Sequence, residues 1–145
     1  MIALLQRVTQ ASVVIEGATV ASIRHGLLVL VGVRPADDRS AAARLLDRLL
    51  KYRVFADADG KMNLSLTQVA GGLLLVPQFT LAADTRKGLR PGFSTAAAPE
   101  VGGPLFEFLV SAARKEHPTV GCGVFGAHMQ VSLVNDGPVT IWLES

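Results

Sequence analysis

At 145 residues, with 50% hydrophobic and 18% charged, the chain is long enough to bury its own core and too apolar to be disordered. A single cysteine, Cys122, excludes an internal disulfide and fits a reducing compartment. A net charge of +2 with a pI near 9.0 permits a polyanionic partner without demanding one.

Met1 to Leu5 are apolar, but Gln6 and Arg7 interrupt them too early for a signal-peptide core. The densest apolar stretch, Gly26 to Val33, is too short to span a bilayer. The expectation is a soluble, cytoplasmic protein with no membrane partner. The N-terminal third reads as β, with apolar or β-branched runs at Met1–Val8, Ala11–Ile15, Val20–Arg24 and Leu27–Val33, punctuated by Gly17 and His25-Gly26. Such short breaks predict an antiparallel meander, because parallel neighbours need longer crossovers.

Asp37 and Asp38 then supply an N-cap region for a helix over Ser40–Lys51. Leu45, Leu46, Leu49 and Leu50 share one of its faces, and Arg44, Arg48 and Lys51 line the other. Asp57-Ala-Asp-Gly60 signals a turn, and Leu73–Val76 a further strand. A polar loop with Gly and Pro covers Ala83–Pro99, long enough to carry function. A second helix is expected to begin at Pro104, with Leu105, Phe108, Leu109 and Ala112 as its stripe, and to end at His117-Pro118. Two strands close the chain, Met129–Val134 and Val139–Leu143, with Asn135-Asp-Gly-Pro138 as the turn between them. The pattern predicts one α/β (α+β) domain over 1–145, its core a mostly antiparallel, barrel-like sheet with two main helices.

Several chemical-looking signals carry little. Gly121-Cys-Gly-Val-Phe-Gly126 has dinucleotide-fingerprint spacing, but a helix precedes it and a strand follows, the reverse of what that site needs. Asp57-Ala-Asp-Gly60 starts like a calcium loop, yet Gln68 stands where a bidentate glutamate is required. His25, His117, His128 and Cys122 lie at no recognised metal-ligand spacing, so neither metal nor cofactor is expected. No G-x-S-x-G elbow offers a nucleophile.

Two segments remain. Pro77-Gln-Phe-Thr-Leu81 begins where a strand ends, and its proline cannot donate to a sheet ladder. The amides of Gln78, Phe79 and Thr80 are then expected to be free for a ligand, and such donors can hold an oxyanion. In Asn135-Asp-Gly-Pro138, Pro138 allows a cis bond. A cis Gly-Pro would present two backbone carbonyls as a rigid wall that accepts hydrogen on a substrate carbon and rejects a larger group.

Taken with Ala82-Ala-Asp-Thr-Arg-Lys-Gly-Leu-Arg-Pro91, Met1-Ile-Ala-Leu-Leu-Gln-Arg-Val8 and Phe125-Gly-Ala-His-Met-Gln-Val-Ser-Leu-Val134, these segments resemble the D-aminoacyl-tRNA deacylase family, also called D-tyrosyl-tRNA deacylase, over nearly the whole chain. The resemblance implies a small barrel-like α/β fold working as a homodimer, with active sites at the subunit interface. It implies hydrolysis of the ester of D-aminoacyl-tRNA, with some action on glycyl-tRNA, glycyl-tRNA(Ala) among them, because a wall that excludes side chains cannot exclude glycine. Gln78, Phe79 and Thr80 match the catalytic motif, the Phe79 amide as oxyanion donor and Thr80 holding substrate or water. Gly137 and Pro138 match a cis dipeptide that each subunit inserts into its partner's site to reject L-amino acids. Arg7 matches an arginine that holds the dipeptide, and Pro77 and Asn135 stand beside these as supporting residues. The family needs no side-chain nucleophile, since the 2′-hydroxyl of the terminal adenosine assists.

Two positions depart from the family pattern: Pro77, where serine is usual and a subgroup of different chiral preference has proline, and His128, where aspartate is common. Phe79 and Gly137-Pro-Val-Thr140 keep to the D-specific pattern. For the tRNA contact, Arg86, Lys87 and Arg90 in the loop are expected rather than the basic face of the first helix, which reads as solvated. Two other readings stay open: a same-fold editing enzyme acting mainly on glycyl- or L-alanyl-tRNA, and a non-catalytic nucleic-acid-binding member of the fold.

Overall fold

The computed structural model describes every residue from Met1 to Ser145. Its spine is β1 (Ile2–Ile15), which fuses the first two predicted runs into one strand. β2 (Ala18–Ile23) and β3 (Gly26–Gly32) both pair antiparallel with β1, β2 against its C-terminal half and β3 against its N-terminal half. They lie end to end along one edge, so the predicted meander becomes two strands sharing a single partner. β1 looks like two runs in the sequence because Val8 pairs with Asn135 and Gln10 with Val134, leaving Thr9 as an extra residue. One extra residue reverses which face a strand buries. Accordingly Ala3 and Leu5 join one apolar cluster, whereas Ala11 and Val13 join the other.

α1 (Arg39–Lys51) begins where the Asp38 side chain accepts from the Ala41 amide at 2.7 Å. Its four leucines are buried as the 3.6-residue pattern requires. β4 (Arg53–Ala56) and β5 (Met62–Ser65) form a separate two-stranded ribbon across the predicted turn. β6 (Gly72–Pro77) runs parallel to β3, and β7 (Val120–Cys122) parallel to β6.

α2 spans Pro99–Glu116, beginning at Pro99 rather than Pro104. Pro99 takes the first helical turn, where a missing N–H costs nothing, and Pro104 lies inside the helix. Gly102 and Gly103 hide this start in the sequence by their low helix propensity. The structure uses their bareness for packing: a Cβ at either would meet the Phe125 ring at 3.3–3.4 Å. His117 caps the helix and is buried, its Nε2 2.6 Å from the Gly71 carbonyl.

β8 (Gln130–Glu144) corrects the last expectation. Both predicted C-terminal strands are parts of it, and both pair antiparallel with β1 in one direction. Asn135–Pro138 therefore does not turn the chain. Asn135 faces Val8 and Thr140 faces Gln6, so Asp136, Gly137, Pro138 and Val139 stand opposite Arg7 alone as a wide bulge. The six-stranded sheet curls into a nearly closed barrel: a Cβ on Gly121 of β7 would meet that of Ala21 in β2 at 3.3 Å. Alternate residues of β3 and β6 bury both faces. Leu27, Val29, Leu73 and Leu75 pack under the helices, while Leu28, Leu74 and Val76 fill the other side. No helix is long and apolar enough to cross a membrane.

Candidate active site

β6 delivers the first segment. In a parallel strand alternate residues bond to opposite neighbours. Leu73 donates to Thr119 and Leu75 accepts from Gly123 on the β7 side, whereas Gln78 donates to Val31 of β3 at 2.7 Å. Pro77 thus falls on the β7 side just where β7 has ended, so its absent N–H breaks no ladder bond. The same alternation overturns part of the sequence expectation, because the Gln78 amide is engaged by β3 rather than free.

The backbone then tightens into a 3₁₀ turn, Phe79–Ala82. Leu81 donates to the Gln78 carbonyl at 3.2 Å, which leaves the Phe79 and Thr80 amides as the opening donors without a partner inside the turn. The Gln78 side-chain amide donates to the Thr80 hydroxyl in a short contact. Phe79 is 53% exposed and meets Phe93 edge-on at 5.0 Å.

Beside this turn lies a cleft of about 770 Å³ whose lining includes Val76, Pro77, Gln78, Phe79, Phe93 and Met129. Ala96 to Pro99 and Phe125 to His128 complete its walls, with Val131 of β8. No serine, cysteine or carboxylate lines it. Sequence reasoning on single residues missed the wall of Phe93, Ala96–Ala98, Phe125 and Met129. The available signal was Gly123, where a Cβ would stand 2.7 Å from the Met129 sulfur and 3.2 Å from the Pro77 ring. That glycine lets Met129 fold against Pro77, and the Val124 amide holds the sulfur at 3.4 Å.

The second segment sits elsewhere. Gly137 and Pro138 are exposed on the bulge of β8 and do not line this cleft. The peptide between them is cis, and Gly137 has φ +137°. Two residues brace the bulge. Arg7, whose side chain is 14% exposed, donates from Nε to the Asp136 carbonyl at 3.1 Å and from Nη1 to the Val54 carbonyl at 2.5 Å. Its Nε also stands 3.2 Å from the Asp136 carboxylate. Asn135 donates to the carbonyls of Arg7 at 3.1 Å and Val139 at 2.9 Å, and accepts from the Val139 amide at 3.1 Å. A side chain on Gly137 would meet the Val139 amide nitrogen at 2.9 Å and Arg7 Nη2 at 3.3 Å.

The loop cations differ among themselves. Asp84 and Gly92 exchange backbone hydrogen bonds at 2.7 and 3.0 Å, closing the loop at its base. Arg86 is clamped by Asp84 at 2.7 and 2.8 Å, which holds that carboxyl well below its usual range and raises the guanidinium. Lys87 and Arg90 are exposed and form no ion pair. On α1, Arg44 bonds Ser40, Arg48 bonds the Glu144 carbonyl and Lys51 pairs with Asp47.

A donor-bearing turn over an uncharged cleft, and a braced Gly-Pro bulge, match what known proteins show. The family model described as D-Tyr-tRNA(Tyr) deacylase matches residues 4–144. The chain belongs to this family. By that membership it is an enzyme, a hydrolase. A relative in Azotobacter vinelandii named D-aminoacyl-tRNA deacylase is 63% identical over all of both chains. Another of that name in Thioalkalivibrio sulfidiphilus is 61% identical over 99% of this chain and 97% of its own. Among solved structures, one titled c-Myc DNA Unwinding Element Binding Protein superposes with a TM-score of 0.95 at 37% identity, covering 100% of this chain and 99% of its own. A structure titled as a probable eukaryotic D-amino acid tRNA deacylase gives 0.87 at 18% identity, over 99% of this chain and 98% of its own. This second likeness speaks for the fold.

Proposed function

We propose that this chain hydrolyses the ester of D-aminoacyl-tRNA, releasing the D-amino acid and tRNA. The observation that carries the reading is the pair of unbonded amides, Phe79 and Thr80, opening a helical turn at the rim of a cleft without a nucleophile. An ester carbonyl seated there would develop its negative charge against fixed N–H donors in a poorly hydrated setting, where they are worth most. With no serine or cysteine lining the cleft, attack falls to water assisted by the 2′-hydroxyl of the terminal adenosine. Thr80, held by Gln78, is placed to orient substrate or water.

In this reading the working unit is a homodimer in which Gly137-Pro138 of one subunit closes the cleft of the other. Support comes from position: the dipeptide stands exposed on β8, whose outer edge is unpaired, and lies outside its own chain's cleft. Two carbonyls facing the substrate's Cα would admit hydrogen and reject an L side chain. Glycyl-tRNA, glycyl-tRNA(Ala) included, passes such a wall and is a second substrate. Lys87 and Arg90 serve the tRNA backbone, with Arg86 already committed to Asp84. Such chemistry belongs in the cytoplasm, where translation supplies aminoacyl-tRNA.

The test is ester loss from D-Tyr-tRNA, L-Tyr-tRNA and Gly-tRNA incubated with the protein, alongside light scattering at micromolar concentration. The reading expects D-Tyr- and Gly-tRNA to be cleaved, L-Tyr-tRNA to be spared, and a dimeric mass. Equal cleavage of L-Tyr-tRNA would sink the chiral wall. A second reading takes its support from the 37%-identical structure titled as a DNA-element-binding protein: nucleic-acid binding without hydrolysis, which inert esters of all three kinds would favour.

A further inference from the structure

The three histidines of the chain have different surroundings. His117 is buried against the Gly71 carbonyl, and His25 stacks edge-on with Phe55 at 5.0 Å. His128 has no hydrogen-bond partner within the chain, is exposed, and lines the cleft beside Met129. It is also the only titratable side chain that does so. Every element around the cleft contributes neutral groups: Val76 and Pro77 from β6, Gln78 and Phe79 from the turn, Phe93 and Ala96–Ala98 from the loop, Pro99 from α2 and Val131 from β8. The charged residues on those elements, Asp84 and Arg86 in the loop and Glu100 in the first turn of α2, do not line it. The binding partner of such a cleft, an RNA 3′ end, is a phosphodiester chain. A cleft with no fixed cation can meet that charge only through His128.

We propose that His128 binds the phosphodiester linking the last two nucleotides of the tRNA, as a pH-tunable contact at the cleft mouth. The inference rests on the deacylase reading for the identity of the ligand. The sign is set by the imidazole. Free imidazole titrates near 6.5, so the contact is charged and strong below that value and weakens as pH rises through it. The expected effect is modest, because the group is solvated and exposed pairs contribute little.

The probe is the dinucleotide CpA, whose phosphodiester stays ionised throughout, with adenosine as the comparison lacking phosphate. For the unaltered protein, CpA should bind about two- to fivefold more tightly at pH 5.5 than at pH 8.0, while adenosine shows no such change. His128→Gln should bind CpA with a flat profile, and His128→Lys should restore tight binding at both pH values. In deacylation of D-Tyr-tRNA, His128→Gln should shift KM at low pH and leave kcat unchanged. Matching CpA profiles for the unaltered protein and His128→Gln would overturn the contact. If no ester is cleaved but the CpA difference persists, the deacylase reading falls and the phosphate contact stands.

Discussion

The 3₁₀ turn after β6 and the bulge in β8 present opposite faces of the same backbone chemistry. In the turn, Phe79 and Thr80 hold N–H groups out toward a cleft. In the bulge, Arg7 and Asn135 occupy the flanking polar atoms, and what remains outward is Gly137-Pro138, a dipeptide with carbonyls and no side-chain donor. The turn is made locally, by a proline at a strand end. The bulge is made by tertiary contacts, since β1 supplies Arg7 and the ribbon strand β4 supplies the Val54 carbonyl that anchors it. A site divided in this way can tune where charge develops independently of which substrate is admitted.

Breaking the bulge should have the largest effect. Gly137→Ala places a Cβ 2.9 Å from the Val139 amide nitrogen, so the dipeptide must move. A displacement near one ångström at such a wall costs about 10²-fold, and we expect the D-over-L ratio in tRNA deacylation to collapse by that factor. Retained selectivity would show that the wall lies elsewhere.

The turn is tested next. Proline is tolerated at a first helical position and removes only the donor, so Phe79→Pro against Phe79→Ala isolates the amide. The expected difference in kcat is ~10²-fold or more, with both proteins folded by circular dichroism. Equal rates would remove the amide from the chemistry.

Arg7→Lys sharpens the link between the regions, because a lysine cannot span two carbonyls in a fixed fork. Loss of a charge-assisted bond to a half-buried carbonyl costs about 1–3 kcal/mol. Denaturant unfolding should register that loss, and selectivity should fall while Phe79-dependent turnover persists.

A smaller effect is expected from Lys87→Gln with Arg90→Gln. The slope of log KM against log salt should flatten by roughly 0.7–0.9 for each phosphate that is no longer neutralised. An unchanged slope would place the tRNA backbone on another surface.

The smallest concerns neither region. Glu144 is held at about 2 by hydrogen bonds from Arg34 and Trp142, against 4.5 unperturbed. A depressed carboxylate contributes stability above its unfolded value and loses it as pH falls toward 2. Arg34→Gln should therefore narrow the drop in Tm between pH 5 and pH 2 by a small amount, since the pair is exposed.

How much of this was legible in the sequence follows from what each element depends on. α1 could be read because its cap at Asp38 and its leucine stripe are local. The turn at Pro77–Leu81 could be located for the same reason, although only the ladder to β3 reveals that Gln78 is already engaged. The start of α2 was hidden by two glycines whose purpose is to seat Phe125 from a distant loop. The bulge could not be told from a turn. Asn-Asp-Gly-Pro reads as a reversal, and only pairing with β1 on both sides shows that the chain continues through it. The cleft wall is assembled from the loop, β6 and the β7–β8 connection, and no window of sequence contains it.

The bulge has one more consequence, which concerns keeping the folded protein apart from other strands. β8 is a fifteen-residue strand bonded to β1 on one side and open on the other. An open, regular edge of that length is a template on which foreign strands can grow. Asp136–Val139 break it into two short runs, Gln130–Val134 and Thr140–Glu144. A strand aligned with one run falls out of register with the other, and Pro138 withholds a donor at the join. The residues proposed to exclude the wrong amino acid also interrupt the edge along which the protein could otherwise aggregate.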